Sequence, residues 1–185
     1  AKPNAAFKDG VRGNSIFFFF ATCRQSSTDK GTYFGSERAN ENHYGVANVH
    51  VPQVRKFGPD GRPFRFRLLS YTLFEARENP RNHFIIRDVM EMTPDAWRSE
   101  IRNHGCADCL IFVPGFNTTF RDAIFRSAQV FWDLQYNGVP ILFSWASGGQ
   151  VPNYLYDQGS AIHAGIHFLA LLEHLRAAGI KKIHI

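Results

Sequence analysis

Apolar positions in this chain fall into short runs separated by turn residues, and the sharpest such boundary lies within residues 108–120. Asp108 leads into Cys109-Leu-Ile-Phe-Val113, then a Pro114-Gly115 break, then Phe116-Asn-Thr-Thr119. A short continuous apolar run bounded by turn residues predicts a strand buried on both faces. Thr119, with Asp122 three residues on, fits the capping pattern that opens a helix. Phe120, Ile124, Ala128, Phe131 and Leu134 then recur near one face of a helix that runs to Tyr136. The pattern is strand, polar turn, helix: the front half of a βαβ unit. In parallel sheets ligands sit outside the carboxyl ends of strands, and residues 114–119 occupy such an end.

The same reading extends along the chain. Residues 1–13 form a loose end, 15–22 a strand, and 23–42, rich in Ser, Thr, Gly and Asn, a long loop. Residues 44–51 alternate as a second strand that Pro52 ends. Residues 54–67 interleave Arg and Lys with Phe57, Phe64 and Phe66, which predicts a hairpin around Pro59-Asp-Gly61. A charged loop over 75–83 precedes a strand over 84–92. Thr93, Pro94 and Asp95 then open a helix with Trp97 and Ile101 on one face and Gly105 at its end. Residues 139–143 form a further buried strand, and 144–153 a second polar loop on the same rim. Asp157 is placed as the cap of the next helix, with Ile162, Phe168, Leu169, Leu172 and Leu175 inward and Gly179 closing it. Residues 181–185 begin one more strand. The second half thus reads β-α-β-α-β, a parallel sheet, and the hairpin spacing of the first half makes the sheet mixed.

Composition narrows this picture. At 185 residues the default is a single domain, 1–185, with N-terminal strands, basic hairpin and short helix in 1–105 and the βαβαβ core in 106–185. Apolar residues make up 44% and charged residues 20%, an ordinary globular balance. No apolar run approaches the roughly 20 residues of a membrane span. The formal charge of +5 gives weak attraction to anions without fixing a partner. The basic, aromatic run over 54–67 suits a nucleic-acid stacking surface as well as a hairpin, and the hairpin is the preferred reading.

Several motifs, taken in order, resemble a known family. Phe19-Phe-Ala-Thr22 with Arg24, Tyr44-Gly45 through Val51-Pro52, Val113-Pro-Gly-Phe-Asn117 through Phe120, Phe143-Ser-Trp-Ala-Ser147 and Tyr154-Leu-Tyr-Asp157 together resemble the α/β-hydrolases, in a branch of uncharacterised esterase/lipase-like proteins. The resemblance implies an α/β-hydrolase-like mixed, mostly parallel sheet with flanking helices. It makes Gly115, Phe116 and Asn117 the oxyanion turn, with the Phe116 N–H as one donor, and Ser144, Trp145, Ser147, Tyr154 and Asp157 candidates for the substrate rim. Two departures stand out: Pro114 replaces the family's usual His, and Ala146 the Pro of its Trp-Pro-Ser motif. The Gly-x-Ser-x-Gly nucleophile elbow does not occur in these residues. The resemblance implies a C-terminally incomplete domain, with its Ser, acid and His triad expected after Ile185.

The chemistry visible within the chain is sparse. Ser147 has no base tied to it by any motif and reads as a loop serine. Asn117 either orients the turn or faces substrate. His163 and His167 stand at i, i+4, a chelating spacing. Without the Glu of His-Glu-x-x-His, they and His174 are read as surface histidines. Cys106 and Cys109 have metal or redox spacing but no second pair, so buried thiols are preferred. No cofactor or metal is expected. The expected partners are a small acyl substrate and a partner or second copy covering the sheet edge near Ile183. Free cysteines fit the cytoplasm slightly better than an oxidising compartment.

Overall fold

The computed structural model describes residues 11–12, 14–29, 31–52, 65–68, 71–75, 84–147 and 154–185, and side chains in all of these except 11–12, 65–68, 71–75 and 154–158. Its elements are β1 (Val11–Arg12), β2 (Ser15–Ser26), β3 (Phe34–His50), β4 (Arg65–Leu68), β5 (Tyr71–Glu75), β6 (Ile85–Met92), α1 (Pro94–His104), β7 (Asp108–Phe112), α2 (Phe120–Leu134), β8 (Val139–Ser144), α3 (Tyr154–Ala177) and β9 (Lys182–His184). The main sheet runs β6-β3-β2-β8-β7-β9, with β1 added on β2, and β4 and β5 pair separately. β2, β8, β7 and β9 are mutually parallel, whereas β3 is antiparallel to both β2 and β6. The sheet is therefore mixed and mostly parallel.

Alternation along β2 separates the two faces. Phe19, Ala21 and Cys23 join Trp97 and Ile101 of α1 and Leu171 and Leu175 of α3 in one core. Ile16, Phe18 and Phe20 join Phe120, Ile124, Ala128 and Phe131 of α2 in the other. α2 and α3 thus cover opposite faces. The connection β7-α2-β8 steps to one side of β7, and β8-α3-β9 returns to its other side. This reversal makes the carboxyl end of β7 the switch point of the sheet, where α/β folds open a crevice for ligands.

The helix starts follow the sequence closely. Thr93 accepts a hydrogen bond from the Ala96 amide at 3.3 Å, and Gly105 ends α1 with φ of 77°. Thr119 caps α2, accepting from the Asp122 amide at 3.1 Å. All six residues of β8 are buried, as expected for a strand covered on both faces.

Other expectations are corrected. Residues 23–42 are no long loop: β2 continues to Ser26 and β3 begins at Phe34, so an antiparallel ribbon occupies most of the segment. Its buried positions, Cys23, Arg24, Phe34 and Ala39, are scattered among exposed polar ones, so the segment gave no continuous hydrophobic signal. β7 is buried on one face only: Cys109 and Ile111 are buried, while Asp108, Leu110 and Phe112 are half-buried. Leu134, at the last turn of α2, is 60% exposed. Asp157 is the fourth residue of α3 rather than its cap. Ile162 and Leu169 point outward, and the buried stripe of α3 is Ser160, Ala164, His167, Leu171 and Leu175. That helix is apolar around most of its circumference, so periodicity could not choose its inner face. The turn expected at Pro59-Asp-Gly61 and the loop over 76–83 lie outside the described residues.

Candidate functional site

The site forms where the carboxyl ends of β2, β7 and β8 meet. β7 ends at Phe112, and the turn over 113–119 leads into α2. Pro114 and Thr118 are buried, whereas Gly115, Phe116 and Asn117 are exposed. Asn117 has φ of 59°, a left-handed conformation that Asn tolerates better than other residues with a side chain. Backbone N–H groups at this turn stand at the N-terminus of α2, whose dipole favours negative charge there.

A single buried cation holds this rim together. Arg24 is 1% exposed. Register shifts in the β2–β3 pairing flank it on both sides, and such bulges re-aim side chains. Its Nε donates to Ser144 Oγ at 3.0 Å, Nη1 to the carbonyls of Gly35 at 2.9 Å and Ser147 at 3.0 Å, and Nη2 to the Thr118 carbonyl at 2.6 Å. One guanidinium therefore joins β3, the turn after β7 and the loop after β8. Three further ties reinforce it. Thr22 Oγ1 donates to the Ser144 carbonyl at 2.6 Å, the Thr118 amide to Ser147 Oγ at 3.3 Å, and Trp145 Nε1 to the Pro114 carbonyl at 2.7 Å.

The anticipated site residues separate into two layers. Gly115, Phe116 and Asn117 face solvent at the turn. Ser144 and Ser147 are 0% and 1% exposed and lie beneath it as acceptors for Arg24 and Thr118. Trp145 is half-buried and braces Pro114. Tyr154 and Asp157 are in the first turn of α3, and their side chains lie outside the described residues. Sequence reading noted Arg24 only as part of a motif and missed its role. The available signal was a charged residue directly following an apolar strand at its carboxyl end.

Burial pushes the Cys109 thiol up to about 12 and raises Cys23 as well. Both are fully buried, and neither is poised as a nucleophile. Among the described residues no group of three or more His, Cys, Asp or Glu side chains is placed to hold a metal. His167, expected on the surface, is 7% exposed because it belongs to the inner stripe of α3. No helix among the described residues is long and apolar enough to cross a membrane.

Residues 91–185 match a family described as an alpha/beta hydrolase of unknown function (DUF900). The chain belongs to this α/β-hydrolase family. The match covers the end of β6, then α1, β7, α2, β8, α3 and β9, and so includes the turn, the loop after β8 and the switch point. The β2–β3 ribbon that supplies Arg24 precedes it. No curated protein and no solved structure matches the chain significantly.

Proposed function

We propose that this hydrolase-family chain is the scaffold half of a serine hydrolase acting on an ester or related acyl bond. The observation that carries the reading is the exposed turn over 115–117, at the N-terminus of α2 and at the sheet's switch point, braced by Arg24 and Trp145. In this reading the Phe116 N–H donates to the oxyanion of the tetrahedral intermediate. Pro114 alters the side chain beside the turn but leaves that backbone donor in place. The nucleophile elbow would follow β9, which lies parallel and adjacent to β7. The serine attacks the acyl carbonyl, a histidine takes its proton and returns it to the leaving group, and an acid orients the histidine. Ser147 is a structural acceptor in this scheme, and Trp145, Tyr154 and Asp157 border the substrate. β9 is exposed among the described residues, and a partner or a second copy of the chain would cover that edge.

The test is made on the natural gene and its full product. A Gly-x-Ser-x-Gly sequence encoded after Ile185, labelled by a fluorophosphonate and silenced by Ser→Ala, supports the enzyme. Absence of that motif and of labelling supports the second reading, a hydrolase-like binding module, which the Pro114 substitution favours. Esterase activity from these 185 residues alone, abolished by Ser147→Ala, would overturn the proposed division of labour.

A further inference from the structure

His163 and His167 sit one turn apart on the side of α3 that packs toward β3. Their Nε2 atoms are 3.3 Å apart and their ring centroids 4.4 Å apart, so the rings lean together at their Nε2 ends. Asn42 of β3 fixes this turn of the helix, donating from Nδ2 to the His167 carbonyl at 2.7 Å.

Two imidazoles facing each other through nitrogen have two uses for the arrangement. One ring donates an N–H to the other, or both direct lone pairs at one cation. At 3.3 Å the pair admits a hydrogen bond from one ring to the other, and the same separation leaves room for a shared cation. It suits a chelate: with metal–nitrogen bonds of about 2.0–2.1 Å, it corresponds to an N–metal–N angle of about 104–111°, close to tetrahedral. The i, i+4 spacing on one helix face is the spacing by which helical histidine pairs ligate metal. Asn42 Oδ1 and His163 Nδ1 are also buried without hydrogen-bond partners beside the pair.

We propose that His163 and His167 form a two-imidazole chelate for a divalent transition metal that favours nitrogen ligands, such as copper(II), nickel(II) or zinc(II). No third His, Cys, Asp or Glu among the described residues completes the set, so water fills the remaining positions. The site lies where half-buried His163 meets His167 of the inner stripe of α3, apart from the turn after β7. Its effect is to clip one turn of that helix, and it takes no part in acyl transfer.

The full chain is stripped with a chelator, dialysed, and titrated with copper(II) or zinc(II) salts alone. Copper(II) should give an electron paramagnetic resonance spectrum with coupling to two imidazole nitrogens, and either metal should raise Tm. His163→Ala should remove the two-nitrogen signature and weaken metal binding at least tenfold. His163→Gln, which keeps a polar side chain, should do the same if the alanine variant folds poorly. His184→Ala, on exposed β9, should leave both readouts unchanged. Equal affinity in the wild type and the His163 variants, or a copper spectrum without paired nitrogen coupling, overturns the proposal.

Discussion

Replacing Arg24 by methionine tests how the rim is held. Methionine has nearly the length of arginine and fills much of its volume, so the loss is chiefly of hydrogen bonds. Arg24 donates to three buried acceptors, Ser144 Oγ and the carbonyls of Ser147 and Thr118, and to the part-buried Gly35 carbonyl. Leaving a buried acceptor unmet costs about 1–3 kcal/mol. Three such acceptors, with partial relief by water entering from the rim, give a loss of about 3–5 kcal/mol. Desolvating the guanidinium opposes this, because methionine carries no such penalty, but the acceptors remain buried whichever residue replaces it. Arg24→Lys keeps the charge yet cannot reach acceptors on three sides, so it should recover less than half the loss. Urea denaturation at constant slope measures the change in midpoint, and amide exchange at Thr118 reports whether the turn opens first. A loss below about 1 kcal/mol for the methionine variant, with exchange at Thr118 unchanged, would refute the idea that Arg24 organises the rim.

Three further outcomes follow from the packing and titration. Gly45→Ala should destabilise by about 3 kcal/mol or prevent folding, because its Cβ would stand 2.3 Å from the Met90 carbonyl and 2.5 Å from the Phe20 ring; thermal melts measure it, and a neutral effect would contradict the β2–β3–β6 register. In native protein, alkylation should modify Cys106 first, while Cys23 and Cys109, both fully buried, react only on unfolding; mass spectrometry of partly labelled protein shows the order, and equal labelling would contradict the burial. Burial depresses the pKa of His104, His167 and His174 in the fold. Each therefore binds protons more readily when unfolded, so their contribution is complete above about pH 6.5 and is lost as pH falls through the lowered folded values; urea midpoints that stayed constant or rose from neutral pH to pH 5 would contradict this.

Much of the fold was legible because local signals agreed with global ones. Thr93-Pro94-Asp95, Thr119 with Asp122, and the apolar run of β8 each carry their instruction within a few residues. The failures have physical causes. The polar arms of the β2–β3 ribbon are held by backbone pairing, which leaves no mark on hydrophobic pattern. α3 is apolar around much of its surface, so Leu171 and Leu175 could not be told from Ile162 and Leu169 by period alone. At the site, the turn over 114–119 was visible as a strand end, but its bracing was not. Arg24 meets Thr118 and Ser147 at sequence distances of 94 and 123 residues, which no local motif records.

The position of β2 carries a consequence for how the chain reaches this state. The strand comes first in the main body of the sheet, yet its parallel neighbour is β8, and Thr22 meets Ser144 across 122 positions. The β2–β3 ribbon is local and can form early, but one edge of β2 then waits for most of the remaining chain. β1 covers that edge at Ser15 and Ile16, and beyond it Phe17-Phe-Phe-Phe-Ala21 are five apolar residues with no charge and no proline. Such a segment is a template for pairing with other chains until its partner arrives. Long-range parallel pairing of this kind is slow. During synthesis, the ribosome must deliver roughly another hundred residues before β8 closes the gap, at about 5–20 residues per second. Yield in the cell should accordingly depend on chaperones that shelter this first strand, and a charge placed at half-buried Phe17 should trade native stability for freedom from aggregation.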